Sequence, residues 1–176
     1  MRFRKKTLII FKLFIVLILI NLFLACSGVN PLSRGAWVEE KNRINLLAAG
    51  PQEGSWQTRD LTIDYELLQA DHTIQISGVV NFEGHHTRNF STLEYLTIYI
   101  HALDANGIVL ETKAVKTFGY RRPFFSLGKL SFDGDFEMVG DVDIIAVAFS
   151  YSGTVESGGG ETGWDFWKVP RRKPPA

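Results

Sequence analysis

The stretch LTIYIHALDANGIVLETK, residues 96–113, decides the fold of this chain. Up to residue 103, apolar side chains alternate with polar or aromatic ones, and a period of two is that of a half-buried β-strand. The tetrapeptide DANG, residues 104–107, contains residue types that tolerate positive φ angles, and apolar and β-branched residues resume after it. The stretch therefore predicts a β-hairpin with arms over residues 93–103 and 108–115.

Alternation with the same period recurs on both sides of this hairpin. It predicts two strands before the hairpin and three after it, over residues 61–67, 74–82, 128–136, 142–151 and 164–169. A turn at residues 70–72 joins the first two of these strands, and no segment has the pattern of a long helix. We therefore predict an all-β chain that forms an antiparallel β-sandwich of about seven strands.

The order of residues 96–113 resembles the central hairpin of small immunoglobulin-like or fibronectin-III-like domains in bacterial surface proteins. The resemblance implies an immunoglobulin-like arrangement of the sandwich. Cys26 is the single cysteine of the chain. This excludes the Cys–Trp–Cys core of antibody domains, an intramolecular disulfide and a cysteine-based zinc site.

The first 25 residues have the order of a secretory signal, because a basic start, MRFRKK, precedes an almost wholly apolar segment over residues 8–25. The segment ends in LFLACSG, residues 22–28. This ending resembles the lipobox of bacterial lipoproteins, in which a small residue precedes a cysteine that receives a diacylglycerol and becomes the new N-terminus. By this resemblance Ala25 is the small residue and Cys26 is the lipidated one. An uncleaved signal anchor is the alternative.

The lipobox resemblance implies a protein that is held at the bacterial cell envelope by acyl chains on Cys26, with the membrane as a partner. Each buried CH2 group contributes about 0.8 kcal/mol, so two or three acyl chains anchor a protein firmly. Ser27 resembles the residue that permits export to an outer membrane, where the organism has one, because Asp at this position is the usual retention signal.

Charge is divided unevenly along the chain. Five of the 19 basic residues precede Cys26, which leaves 14 basic residues against 19 acidic ones after it. The part that follows the signal segment is therefore net acidic, whereas binding to nucleic acid requires a positive surface. We predict no nucleic-acid partner.

The composition predicts four segments: a signal peptide over 1–25, a lipidated tether over 26–54, a β-sandwich domain over 55–169, and a disordered basic tail over 170–176. Breakers at Asn30–Pro31 and Gly50–Pro51 favour the tether. Within it, residues 36–48 have apolar side chains near helical spacing, and both a short amphipathic helix and an added strand remain open.

Two segments combine aromatic and polar side chains in a way that suits ligand contact. The first interleaves aromatic residues with arginines over residues 118–125. The second, GWDFW at residues 163–167, places two rings on one face of a strand and one on the other, so that a ring is left for contact. The candidate binding surface consists of Tyr120, Arg121, Arg122, Trp164 and Trp167, with core packing as the alternative for some of these rings.

Familiar motifs for catalysis and metal binding do not occur in the sequence. We find no Gly-x-Ser-x-Gly elbow, no His-Glu-x-x-His and no phosphate-binding glycine loop, and we predict no catalytic residue, metal ligand or cofactor. His85 and His86 are predicted to be surface residues of a polar loop, where adjacent side chains diverge. The acidic residues within 133–143 do not match a calcium loop and are interpreted as turn and solvent-facing positions.

These observations lead to one hypothesis and two alternatives. A lipid-tethered, noncatalytic sandwich that contacts another envelope protein agrees best with the predicted localisation, the predicted fold and the absence of catalytic motifs. The second candidate is a glycan-binding or cell-wall-binding module that uses Tyr120, Arg121, Trp164 or Trp167. The third is an envelope hydrolase that uses the acidic cluster.

Overall fold

The structure is a computed structural model, and it describes residues 34–46, 50–70, 73–137, 144–158 and 163–171, without the side chain of Tyr120. The described residues form nine β-strands, one short α-helix and two 3-10 turns. The strands are β1 (Ile44–Asn45), β2 (Pro51–Gln57), β3 (Leu61–Ala70), β4 (Thr73–Phe82), β5 (Thr92–Leu103), β6 (Val109–Pro123), β7 (Leu130–Glu137), β8 (Ala146–Glu156) and β9 (Trp164–Lys168). Helix α1 (Gly84–Asn89) lies between β4 and β5, and the 3-10 turns are Glu40–Asn42 and Phe124–Ser126.

Two antiparallel sheets pack against each other. The smaller sheet has the order β2-β3-β4-β7, and the larger one has the order β1-β8-β5-β6, with β9 also paired to β8. The chain changes sheets after β1, β4, β6 and β7, and the last three changes are those expected for the Greek-key connections of an immunoglobulin-like sandwich. The prediction of an all-β antiparallel sandwich is confirmed.

Alternation along the strands determines which side chains form the core. In β3, Leu61, Ile63 and Leu67 are buried while Asp64 and Glu66 are exposed, because successive side chains of a strand point to opposite faces. In the larger sheet, β5 and β8 are instead buried on both faces over part of their length, so that every residue from Ala146 to Tyr151 is buried. One contiguous core forms between the sheets, and its buried aromatic members are Trp56, Phe132, Phe136, Phe149, Tyr151 and Phe166.

Strand β6 is the longest strand in the described residues and forms an outer edge of the larger sheet. Its pairing with β5 is interrupted by three register shifts. Near its end, Arg121 has a φ of 54°, a left-handed conformation that non-glycine residues adopt only rarely. The strand is therefore long but irregular.

The sandwich begins earlier in the chain than the predicted boundary at residue 55. Strand β2 starts at Pro51, and Ala36, Val38 and Ile44 are buried. The described residues 36–46 contain no α-helix. They form a 3-10 turn and β1, which pairs with β8 at Ile44–Val147, so the interpretation as an added strand fits this segment better.

The first two residues of the predicted tail are also ordered. The Trp37 N–H donates to the Arg171 carbonyl oxygen at 2.7 Å, and the Arg171 N–H donates to the Trp37 carbonyl oxygen at 2.8 Å. The Arg171 guanidinium lies 3.1 Å from the Glu39 carboxylate. Residues 172–176, the predicted signal peptide, Cys26 and Ser27 lie outside the described residues.

Candidate functional site

A groove runs along the free edge of β9. Its volume is about 580 Å³, and all five residues of Trp164–Lys168 line it. Because successive side chains point to opposite faces of a sheet, five consecutive residues can line one groove only along the edge of their strand. The turn at residues 58–60 and helix α1 form the facing wall. We call this feature the β9 groove.

One buried side chain of β9 packs against the neighbouring strand of the sandwich. The Phe166 ring lies over Gly153 of β8, where an added Cβ atom would lie 2.5 Å from the ring and 2.7 Å from the Tyr95 carbonyl oxygen. Strand β9 pairs with β8 along its whole length, and within the described residues its other edge pairs with no strand. The groove is therefore bordered by an unpaired backbone edge.

Trp164 and Trp167 are the exposed aromatic residues of β9, with 65% and 61% of their surfaces accessible. Their spacing of three residues places them on opposite faces of the strand. The sequence predicted that a ring of this segment would be left for contact. The structure leaves both tryptophans exposed, because Phe166 alone in β9 is buried in the core.

Asp60 is held in the facing wall by hydrogen bonds. Its Oδ2 atom accepts a hydrogen bond of 2.7 Å from the Tyr151 hydroxyl, which lies 3.1 Å from Thr58 Oγ1. The Thr58 hydroxyl also accepts the backbone N–H of Asp60 at 3.2 Å and so fixes the turn. Burial raises the pKa of Tyr151, so the phenol stays protonated and donates to the carboxylate.

The adjacent histidines of α1 turn towards the same oxygen of Asp60. The Nε2 atom of His86 lies 3.2 Å from Asp60 Oδ1, and the Nε2 atom of His85 lies 3.5 Å from it. The two imidazole rings are stacked at a tilt, with their centroids 4.3 Å apart. The predicted divergence of these side chains is therefore wrong, because both rings lean from the short helix towards one carboxylate.

His86 is buried and His85 is partly exposed, although both line the β9 groove. His86 is only 4% exposed, and the rings of Phe82, Phe90 and Phe166 pack around it. Burial lowers the pKa of His86, and the hydrogen bond to Asp60 opposes that shift. The buried Nδ1 atom of His86 has no hydrogen-bond partner among the described residues. The expectation of two surface histidines is thus wrong for His86.

The arginines of the candidate binding surface lie on a different strand from the tryptophans. Arg122 pairs with Leu93, Leu93 with Val155, and Val155 with Trp164, so two strands separate Arg122 from Trp164. Three strand spacings amount to about 14 Å. The two halves of the predicted surface therefore lie at one level of the sheet but do not meet.

Arg121 is already paired with two carboxylates. Its Nε atom lies 2.8 Å from Glu94, and its Nη2 atom lies 3.0 Å from Glu156. Hydrogen bonds to Glu156 and Glu94 raise the pKa of Arg121. Arg122 is exposed, and the side chain of Tyr120 lies outside the described residues.

Two further sequence features lie away from the β9 groove. Asp133, Asp135 and Glu137 are exposed on β7, in agreement with solvent-facing positions, while residues 141 and 143 lie outside the described residues. His101 is fully buried, with Nδ1 at 2.8 Å from Thr112 Oγ1 and Nε2 at 2.7 Å from Ser150 Oγ.

Asp60 was not among the residues predicted from the sequence, although the predicted hairpin over residues 61–82 contained the necessary signal. Strands over 61–67 and 74–82 with a turn at 70–72 bring the start of the first strand beside the end of the second, and Leu61 and Phe82 are paired in the structure. The residue before the first strand and the residues after the second must then be neighbours. Asp60 and the two histidines satisfy this condition.

Comparisons with other proteins add no family to this description. A scan of protein families, a search of curated proteins and a search of solved structures each returned no match. Within the described residues, no helix has the length and apolar character needed to cross a membrane. The geometry of the β9 groove is therefore the basis of the functional proposal.

Proposed function

We propose that this protein is a noncatalytic envelope lipoprotein, anchored through Cys26, whose β9 groove binds an extended segment of another envelope protein. The observation that carries the proposal is the exposure of Trp164 and Trp167 on opposite faces of one edge strand. A ligand that contacts both rings must approach the strand from its edge. A polypeptide in an extended conformation does so.

The backbone of β9 supports this mode of binding. An extended peptide that adds to a sheet edge gains main-chain hydrogen bonds, and pockets for its alternate side chains provide specificity. Here the free edge of β9 supplies the backbone groups, and the groove of about 580 Å³ supplies the pocket. Asp60, Asn89 and Lys168 add polar groups to its walls.

The tryptophans are expected to contribute most of the binding energy. Exposed aromatic side chains that become buried are typical hot spots, and their truncation commonly costs about 2 kcal/mol, or about 30-fold in affinity. We expect Trp164→Ala and Trp167→Ala each to weaken the complex by about this factor. The fold should be retained, because neither side chain is part of the core.

Site-specific photo-crosslinking in intact cells tests the proposal. A photoreactive phenylalanine derivative at position 167 is expected to form an adduct with one discrete envelope protein, and Trp164→Ala should lower its yield severalfold. The same derivative at Ser131, which is exposed on β7 of the other sheet, is the control. Equal adducts at both positions would contradict the proposal. A tryptophan fluorescence response to cell-wall fragments, without a protein adduct, would favour glycan binding instead.

The proposed lipid attachment at Cys26 is tested by the intact mass of the protein extracted from membranes. We expect a chain that begins at an acylated Cys26, because the lipobox-like segment before it directs cleavage and lipidation together. Cys26→Ala should abolish both. A wild-type mass that retains residues 1–25 would mean an uncleaved anchor and would refute lipidation as the means of attachment.

A further inference from the structure

Three side chains of types that bind metals meet on the wall of the β9 groove. One ligand atom from each of Asp60, His85 and His86 lies within 4.8 Å of the others. The distances from Asp60 Oδ1 to the two Nε2 atoms are 3.5 Å and 3.2 Å. Ligand bonds of about 2.1 Å in tetrahedral geometry require ligand atoms about 3.4 Å apart. The two distances from Asp60 Oδ1 therefore match the spacing of a coordination shell, and the ligand atoms of the two histidines lie within 4.8 Å of each other.

The surroundings of the cluster hold two of the three groups in place. Asp60 Oδ2 is bound by the Tyr151 hydroxyl at 2.7 Å, which leaves Oδ1 turned towards the histidines. Aromatic rings of the core enclose His86. Outer contacts of this kind orient metal ligands and typically change metal affinity by 10-fold to 100-fold when they are removed.

The types of ligand select a class of metal ion. Two imidazole nitrogens and one carboxylate oxygen suit Zn²⁺ and neighbouring divalent transition metals. Calcium and magnesium prefer shells of oxygen ligands, and here one carboxylate is the oxygen donor of the cluster. The side chain of His85 is 35% exposed, so an ion can enter from the groove and retain a position for water or another ligand.

We infer that Asp60, His85 and His86 form a binding site for a divalent transition-metal ion of the zinc class. The ion joins helix α1 to the turn between β2 and β3 and presents its open coordination position to the β9 groove. The inference rests on the cluster alone and does not require the protein partner proposed above.

Titration with Zn²⁺ tests the inference directly. The full-length protein is purified in detergent without a histidine tag, treated with a chelator, and titrated by calorimetry. We expect one ion per chain, a higher melting temperature in the presence of Zn²⁺, and a tetrahedral absorption spectrum when Co²⁺ replaces Zn²⁺. His85→Gln and Asp60→Asn should each weaken binding at least tenfold.

Asp165→Asn is the matched control, because Asp165 lines the same groove and lies outside the cluster. Its affinity for Zn²⁺ should stay within threefold of the wild-type value. His85→Gln decides the matter even where Asp60→Asn fails to fold, since His85 is not in the core. A loss below tenfold in His85→Gln, or no saturable binding by the wild-type protein, overturns the inference.

Discussion

Gly153→Ala is expected to lower the free energy of unfolding by about 3 kcal/mol, because it overfills the site where β9 sits on the sandwich. The new methyl group would lie 2.5 Å from the Phe166 ring and 2.7 Å from the Tyr95 carbonyl oxygen. The ring can turn aside only by leaving the core, and the carbonyl belongs to the paired strand β5. Urea unfolding followed by tryptophan fluorescence measures the loss.

Gly128→Ala is the control for this substitution. A Cβ atom at residue 128 meets no atom within 4 Å, and Gly128 does not have a positive φ. Its effect should be within about 0.5 kcal/mol, as for most surface substitutions. Equal stabilities of the two variants would show that the contact between Phe166 and Gly153 does not hold β9 in place.

Acidification from pH 7.5 to pH 5 is expected to destabilise the protein by about 2 kcal/mol through His101, and by about 3 kcal/mol once pH 4 is passed. Burial lowers the pKa of His101 from 6.5 to about 4. Between these values the unfolded chain binds a proton that the folded chain does not bind. Stability is therefore lost as the pH falls through this window. The two hydrogen-bond partners, Thr112 and Ser150, are neutral hydroxyls that do not offset a buried charge.

Urea unfolding at several pH values checks this expectation with His101→Gln as the variant. The amide of Gln can hydrogen-bond but does not titrate, so the variant should be less stable at pH 7.5 and should lose less stability on acidification. A smaller slope of the same sign is expected to remain, because burial also lowers the pKa of His86. A variant with the full pH dependence of the wild-type protein would assign the effect to other groups.

Apolar alternation with a period of two was enough to predict the sandwich. It does not reveal a strand that has few buried side chains. Strand β2 was missed because Trp56 is its one buried side chain, while the rest of Pro51–Gln57 is polar, glycine or proline. Its conformation comes from pairing with β3 over seven residues. Such pairing depends on a neighbouring strand and leaves no apolar alternation in the strand itself.

The length of β6 was underestimated for a related reason. Apolar alternation ends near Val115, and the strand continues to Pro123 because it follows β5 as far as Thr92. The continuation contains Lys116, Thr117 and Gly119, which a sequence pattern assigns to a loop. An edge strand has one side open to solvent, so polar residues are tolerated along it.

The candidate site divides into a part that sequence reasoning reached and a part that it missed. Trp164 and Trp167 were selected because their spacing puts them on opposite faces of a strand, and that argument needs no tertiary structure. The contact of Asp60 with His86 joins residues on either side of the β3–β4 hairpin. Predicting this contact requires the register of that hairpin. The contact was missed because the two histidines were interpreted as part of an isolated loop.

The irregular edge formed by β6 bears on how copies of this chain behave when they are crowded. Regular edge strands template pairing with other molecules, and natural proteins prevent this with bulges, twists and lysines. Register shifts, the left-handed Arg121 and the exposed Lys113 and Lys116 give β6 these features. For the membrane-anchored protein proposed above, whose copies would collide in two dimensions, a blocked β6 edge would discourage edge-to-edge polymers of the larger sheet and leave the β9 edge of that sheet for a partner.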